Sequence, residues 1–174
     1  MQSIIELLKI LIPAAAVLYG MYLTIQTFLQ KQFEIKELDI KQKNIEIIMP
    51  IRLQAFERMI LFLERISPNN LLLRIGSIEI QSIDYQRLLL KEIRDEFNHN
   101  IAQQLFISHD TWEKIRLAMN DTIALINTAA SEVSPDAPAI NLSKKIFEII
   151  LTNSQQPTAD ALRILKEEAQ KLFI

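Results

Sequence analysis

Twenty consecutive residues carry no charge, Ile10 to Leu29 (ILIPAAAVLYGMYLTIQTFL), and no other stretch of the chain limits its fold as strongly. As an α-helix such a run rises about 30 Å, the thickness of a bilayer's hydrocarbon core. Only Thr24, Gln26 and Thr27 in it are markedly polar, and Pro13 falls in the first turn of the run, where a missing amide donor costs least. A single transmembrane helix is therefore predicted over residues 1–30. The competing feature is Ala14-Ala15-Ala16, since small residues also mark signal-peptide cleavage. Glu6 and Lys9 break the stretch before it, however, and the apolar run continues well past Ala16, which suits an uncleaved anchor.

The flanks predict an orientation. Lys9 is the one basic side chain before the run, whereas Lys31, Lys36, Lys41 and Lys43 follow it closely. Cytoplasmic flanks are the ones enriched in Lys and Arg, so the expectation is a single-pass protein of the cell inner membrane, N-terminus out and C-terminal domain cytoplasmic. The lipid bilayer is its first expected partner. Within the run Ala16, Gly20 and Thr24 recur at helical spacing, a small-xxx-small face that permits close helix approach and makes homo-oligomerisation a candidate.

Residues 31–49 contain neither Gly nor Pro, and Glu37/Lys41 and Asp39/Lys43 stand four apart in the favourable order, so the helix is expected to continue as a juxtamembrane stalk. Ile35, Leu38, Ile45 and Met49 fall on alternating steps of three and four, continued by Phe56, Met59, Leu63 and Ile66, with Gln42 and Arg52 as polar intrusions. Such a seam either zips two copies into a coiled coil or packs one helix on its own domain. Pro50 removes one backbone donor, and a kink or break is predicted there.

Residues 50–174 read as a helical domain. The chain's two glycines, Gly20 and Gly76, disfavour folds built on tight β-turns. Ser67-Pro68 opens a short helix closed at Gly76, and Ser82 is expected to cap a helix over 83–106 with Leu89, Ile93, Phe97, Ile101 and Leu105 on one stripe. Ser108 opens the next helix, to about Ala130, with Trp112, Ile115, Met119, Ile123 and Ile126 inward. Residues 131–140 form the longest loop, and two helices follow, 142–152 and 158–172. The predicted fold is all-α, a small antiparallel bundle hung on a transmembrane stalk.

Function classes narrow by exclusion. A formal net charge of -2 and no basic run interleaved with aromatics argue against a nucleic-acid partner. Zero cysteines exclude disulfides and thiol chemistry. No nucleophile elbow, phosphate loop or dinucleotide fingerprint occurs, so no catalytic constellation and no cofactor are expected. Glu96-x-x-His99 is the most suggestive spacing, because residues three apart share a helix face and this pair occurs in di-iron bundles. A di-iron site needs a second such pair, and His109 has Phe106 three residues earlier, leaving at most a mononuclear metal at Glu96, His99 and His109. Arg58, Glu64, Arg65, Arg94 and Glu96 are otherwise candidates for interhelical ion pairs.

Three segments, RLQAFERMILFLERISPNNLLLR (Arg52 to Arg74), IRDEFNHNIAQQLFIS (Ile93 to Ser108) and INTAA (Ile126 to Ala130), resemble an uncharacterised family of small bacterial proteins with an N-terminal transmembrane helix and a helical cytoplasmic region. The likeness covers roughly residues 10–150. It implies membrane attachment and a helical fold, and it brings no activity, ligand or catalytic residue with it. The leading expectation is a membrane-anchored interaction or scaffold protein, an accessory subunit of a membrane-associated assembly. The alternative is a metal-dependent enzyme or metal-binding bundle centred on Glu96 and His99.

Overall fold

The computed structural model describes residues 2–76, 79–153 and 156–172, the side chains of 2–10, 13 and 153 lying outside that description. Six α-helices and one 3-10 helix follow one another along the described residues: α1 (Gln2–Ile66), α2 (Pro68–Ile75), α3 (Ser82–Asn100), the 3-10 helix (Ile101–Leu105), α4 (His109–Ser131), α5 (Ala139–Asn153) and α6 (Ala159–Gln170). Among the described residues the fold is all-α, with one isolated antiparallel bridge, Gln81 to Pro138. It divides into two compact units, Met1–Met49 and Pro50–Ile174.

The first unit is a single helical stretch whose described side chains are exposed, apart from a half-buried Met49. Among the described residues no helix is long and apolar enough to cross a membrane. The uncharged run that suggests a span starts at Ile10 and includes Pro13, both outside the described side chains, as are Glu6 and Lys9. Lys41 meets Glu37 at 2.8 Å and Lys43 meets Asp39 at 3.0 Å, the i,i+4 pairs expected of a solvated helix.

Of the kink or break expected at Pro50, the break does not occur, because α1 is helical from Gln2 to Ile66. A proline inside a helix forfeits one hydrogen bond, here to the Glu46 carbonyl, and costs about 3 kcal/mol. Downstream of it Phe56, Met59, Phe62, Leu63 and Ile66 are all buried to 2% exposure or less, and that burial offsets the loss.

In the second unit the core gathers one stripe from each helix. Leu71 and Leu72 come from α2, and Tyr85, Leu89 and Ile93 from α3. Trp112, Ile115, Ala118, Ile126 and Ala129 come from α4, Leu142 and Ile146 from α5, and Ala161 and Leu165 from α6. Phe97 sits between Phe62 and Trp112, with ring centroids 5.7 and 5.6 Å apart, so one aromatic run ties α1 to α3 and α4. Met119, Ile123, Leu162, Ala169 and Leu172 pack against this core as half-buried neighbours.

Two starts and stops follow local rules. Gly76 ends α2 at φ 69, a backbone angle that side chains with a Cβ resist, and its amide donates to the Leu72 carbonyl at 2.9 Å. Ser108 caps α4, its hydroxyl accepting from the Thr111 amide at 3.4 Å.

Two others do not. Ser82 is no cap: Gln81 holds that position, and the Ser82 hydroxyl donates to the Pro138 carbonyl at 3.2 Å. The amides of Ser82 and Ile83 donate instead to the carbonyls of Ala137 (2.7 Å) and Pro135 (3.2 Å), so the proline-bearing loop satisfies the first turn of α3. The long helix also stops six residues early. Asn100, 4% exposed, turns its side-chain amide back onto the Glu96 carbonyl at 2.8 Å, and the tighter 3-10 helix begins. Ile101 and Leu105 therefore leave the stripe and are 44% and 80% exposed.

Truncating Phe62 to Ala should cost about 3 to 5 kcal/mol, since a fully buried ring is lost from both the core and the aromatic run. Urea titration followed by Trp112, the chain's one tryptophan, measures it; a loss near zero would mean that α1 does not form part of the second unit's core.

Candidate functional site

Glu96 and His99 lie one turn apart on α3, as their spacing requires, and both line a shallow groove of about 350 Å³. Its other wall is α1, through Gln54, Glu57, Arg58, Leu61 and Arg65, with Asn100 at its end. The groove holds two carboxylates, two guanidinium groups and one imidazole, so it carries no strong field of either sign.

One contact decides what Glu96 can do. Its carboxylate lies 3.0 Å from the Arg65 Nε, with the carboxylate side chain 21% exposed and the guanidinium 49%. A carboxylate so held already has its countercharge, and a metal ion there would sit against a fixed positive group. Among the described residues no group of three or more His, Asp or Glu side chains is placed to hold a metal ion. His109 is the first residue of α4, two residues beyond the buried Ile107, and is exposed. Of the other charged candidates, Arg58 lines the same groove. Glu64 takes the side-chain amide of Asn70 on its backbone carbonyl at 2.9 Å, closing the α1–α2 corner.

A second polar cluster joins three parts of the second unit that the sequence does not connect. The Glu168 carboxylate on α6 accepts from the Ser108 amide at 2.9 Å and from the Ser108 hydroxyl at 2.6 Å, so α6 closes the exposed amino end of α4. Arg52 of α1 stands nearby, its Nε donating to the Phe106 carbonyl at 3.3 Å and its guanidinium 6.0 Å from the Phe56 ring centroid. Burial pushes the Glu168 carboxyl up, but the hydrogen bonds from Ser108 and Thr111 and the charge of Arg52 outweigh it and leave the group below its ordinary value. Ser108 was readable as a helix start; Glu168, sixty residues away on a charged helix face, had no local signal to mark it.

A wider groove, about 880 Å³, runs over α4, α5 and α6. Leu125, Ile149 and Ile150 form its apolar part, while Asp121, Asp160 and Arg163 line its polar part. Arg163 is engaged on both sides, 2.6 Å from Asp160 and 2.8 Å from Glu167, which raises its already high pKa, the Asp160 hydrogen bond contributing most.

The remaining candidates lie in the first unit. Ala16, Gly20 and Thr24 are exposed on α1, and beyond the helix's own adjacent backbone nothing comes within 4 Å of the place a Cβ on Gly20 would take. Thr24 and Thr27 donate their hydroxyls to the carbonyls of Gly20 (2.8 Å) and Leu23 (2.9 Å), so neither leaves a free donor on the helix surface. Ile35, Leu38 and Ile45 are exposed, Met49 is half-buried, and the seam passes into the core only from Phe56 onward.

Replacing Glu168 with Gln should destabilise the chain at neutral pH by about 1 kcal/mol, a charge-assisted bond discounted for its partial exposure. Because the folded carboxyl titrates below the unfolded one, the contribution is present above the ordinary carboxylate range and is lost as pH falls through the lowered value. Denaturation of both proteins between pH 7 and pH 3 should therefore show their stabilities converging in acid. A gap that stayed constant would assign the effect to shape and not to charge.

A model of a family of unknown function, DUF7935, matches residues 2–172, a longer reach than the roughly 10–150 of the resemblance drawn from sequence motifs. No curated protein and no solved structure matches the chain.

Proposed function

Starting from the fact that the chain belongs to this family of unknown function, we propose that it is a membrane-anchored helical interaction protein, an accessory subunit of a membrane-associated assembly. One observation carries the reading. From Leu11 to Leu29 every described side chain of α1 is exposed, on all sides of the helix, and none is charged. Val17, Leu18, Tyr19, Met21 and Tyr22 are each at least 60% exposed. A helix apolar all round has no solvated face, and water is a poor environment for it. Lipid suits it, once the run is counted from Ile10 through Pro13, and the hydroxyls of Thr24 and Thr27, already bonded within the helix, spare part of what lipid would penalise.

The lysine-rich flank after Leu29 favours a cytoplasmic second unit, with the inner membrane of a bacterial cell as the location and the N-terminus outside. That unit offers interaction surface in place of a reactive centre: a mixed-charge groove at Glu96 and His99 already spanned by the Arg65 pair, and the wider groove on α4, α5 and α6. Its partner is a protein, and no nucleic acid, metal or cofactor enters the reading.

The anchor is tested by alkaline carbonate washing of membranes that carry the full chain. The wild type should stay in the pellet. Leu18→Arg, which places a charge mid-run at a cost of about 3 kcal/mol in lipid, should move a large share into the supernatant. Recovery of the wild type as unaggregated soluble protein would overturn the anchor.

A further inference from the structure

Residues 31–49 of α1 carry more exposed apolar surface than a solvated helix needs. All of it except Ile48 is sorted into two opposite stripes. Ile35, Leu38 and Ile45 make one, with Gln42 among them and Met49 at its end; Phe33, Ile40 and Ile47, spaced seven apart, make the other. Leu38 is 65% exposed and Ile47 also 65%, so exposure does not choose between them.

Two further features do. At about 100° per residue the first stripe runs upstream into Ala16, Gly20 and Thr24, while the second runs into Tyr19, Tyr22 and Gln26. Small residues let two backbones approach and bulky ones hold them apart. One of the two charged pairs flanking the first stripe is also complementary in sign. With Ile35 as a first heptad position, Lys41 and Glu46 occupy the two flanking positions that face one another across a parallel pair.

Resting on the reading that the preceding run lies in lipid, which points both copies the same way, we propose that the first stripe is covered by a second copy of this chain, parallel and in register over residues 35–49. Each Lys41 then meets the partner's Glu46. The two Gln42 amides face each other, and a polar residue at such a position fixes register. In the monomer these groups are turned inward on their own helix, Lys41 to Glu37 at 2.8 Å and Gln42 to Glu46 at 3.1 Å. Glu34 and the partner's Asp39 are like charges in this arrangement, and Asp39 is compensated by its own Lys43 at 3.0 Å. An antiparallel pair would set Asp39 against the partner's Glu46, two carboxylates, and lose the Lys41 match. Lys31, seven residues before Leu38, falls on the centre line of the same stripe at its membrane end, where its stem carries the ammonium out to the headgroups, so the pairing starts at Ile35.

The chain has no cysteine, so single-cysteine variants report the geometry directly in membranes carrying the full chain. Under mild oxidation Leu38→Cys and Ile45→Cys should give covalent dimer, on the order of tenfold more than Ile40→Cys and Ile47→Cys on the opposite stripe. In the Ile45→Cys background, Lys41→Glu should lower the dimer yield severalfold, and adding Glu46→Lys should restore it. Equal yields from both stripes, or no dimer from either, overturn the pairing. So does a charge reversal that changes nothing. Carbonate washing of the same membranes reads the anchor separately: chains retained in the pellet but uncrosslinked refute the pairing alone, and chains released yet crosslinked at Ile45 refute the anchor alone.

Discussion

The burial of one face of α1 between Phe56 and Ile66 is the interaction on which the second unit depends. Phe62 reaches Phe97, Phe97 reaches Trp112, and through these rings α3 and α4 are placed against α1. Close-packed aromatic and branched side chains leave little room to slide, which is why the surrounding polar contacts come into register. Arg65 meets Glu96 and Arg52 reaches the Phe106 carbonyl because the ring contacts have set their helices at those distances. The same burial carries α1 through Pro50, since a few kilocalories of lost backbone bonding are small beside five buried core side chains.

Closure of the bundle is a matter of helix ends. Each helix leaves backbone donors unpaired at its start, and this fold supplies partners from distant segments. Glu168 on α6 covers the start of α4, and the loop after α4 covers the start of α3 through the carbonyls of Pro135 and Ala137. Prolines suit that loop because they keep a carbonyl to offer while having no amide of their own to satisfy. The interhelical ion pairs are lesser contributors. Arg74 with Glu92 at 2.8 Å and Lys114 with Asp160 at 3.8 Å are solvent-accessible pairs, worth at most about 1 kcal/mol each.

Most helices were legible because their apolar residues recur at helical spacing and their ends carry local marks. Gly76 and Ser108 are such marks, each doing its work within a few residues of its own position. Ser82 misled because a serine before an apolar run reads as a cap, whereas its hydroxyl is taken by Pro138, fifty-six residues away. Ile101 and Leu105 misled because the four-residue spacing persists in sequence after Asn100 has ended the α-helix by bonding its own backbone. For the candidate site, the spacing of Glu96 and His99 correctly put both on one face, and Arg65 stood among the ion-pair candidates. That Arg65 takes Glu96 in particular follows from the approach of α1 to α3.

Sequence alone determined the helical character of the chain, the uncharged amino-terminal run and the stripes that α4, α6 and α3 as far as Asn100 turn to the core, because these follow from residue type and a 3.6-residue period. Tertiary structure decided that α1 stays whole across Pro50, that α3 ends at Asn100, and that Glu168 belongs to Ser108. Each of these rests on groups that are far apart along the chain, and no local spacing encodes a contact that only packing brings within a hydrogen bond's length.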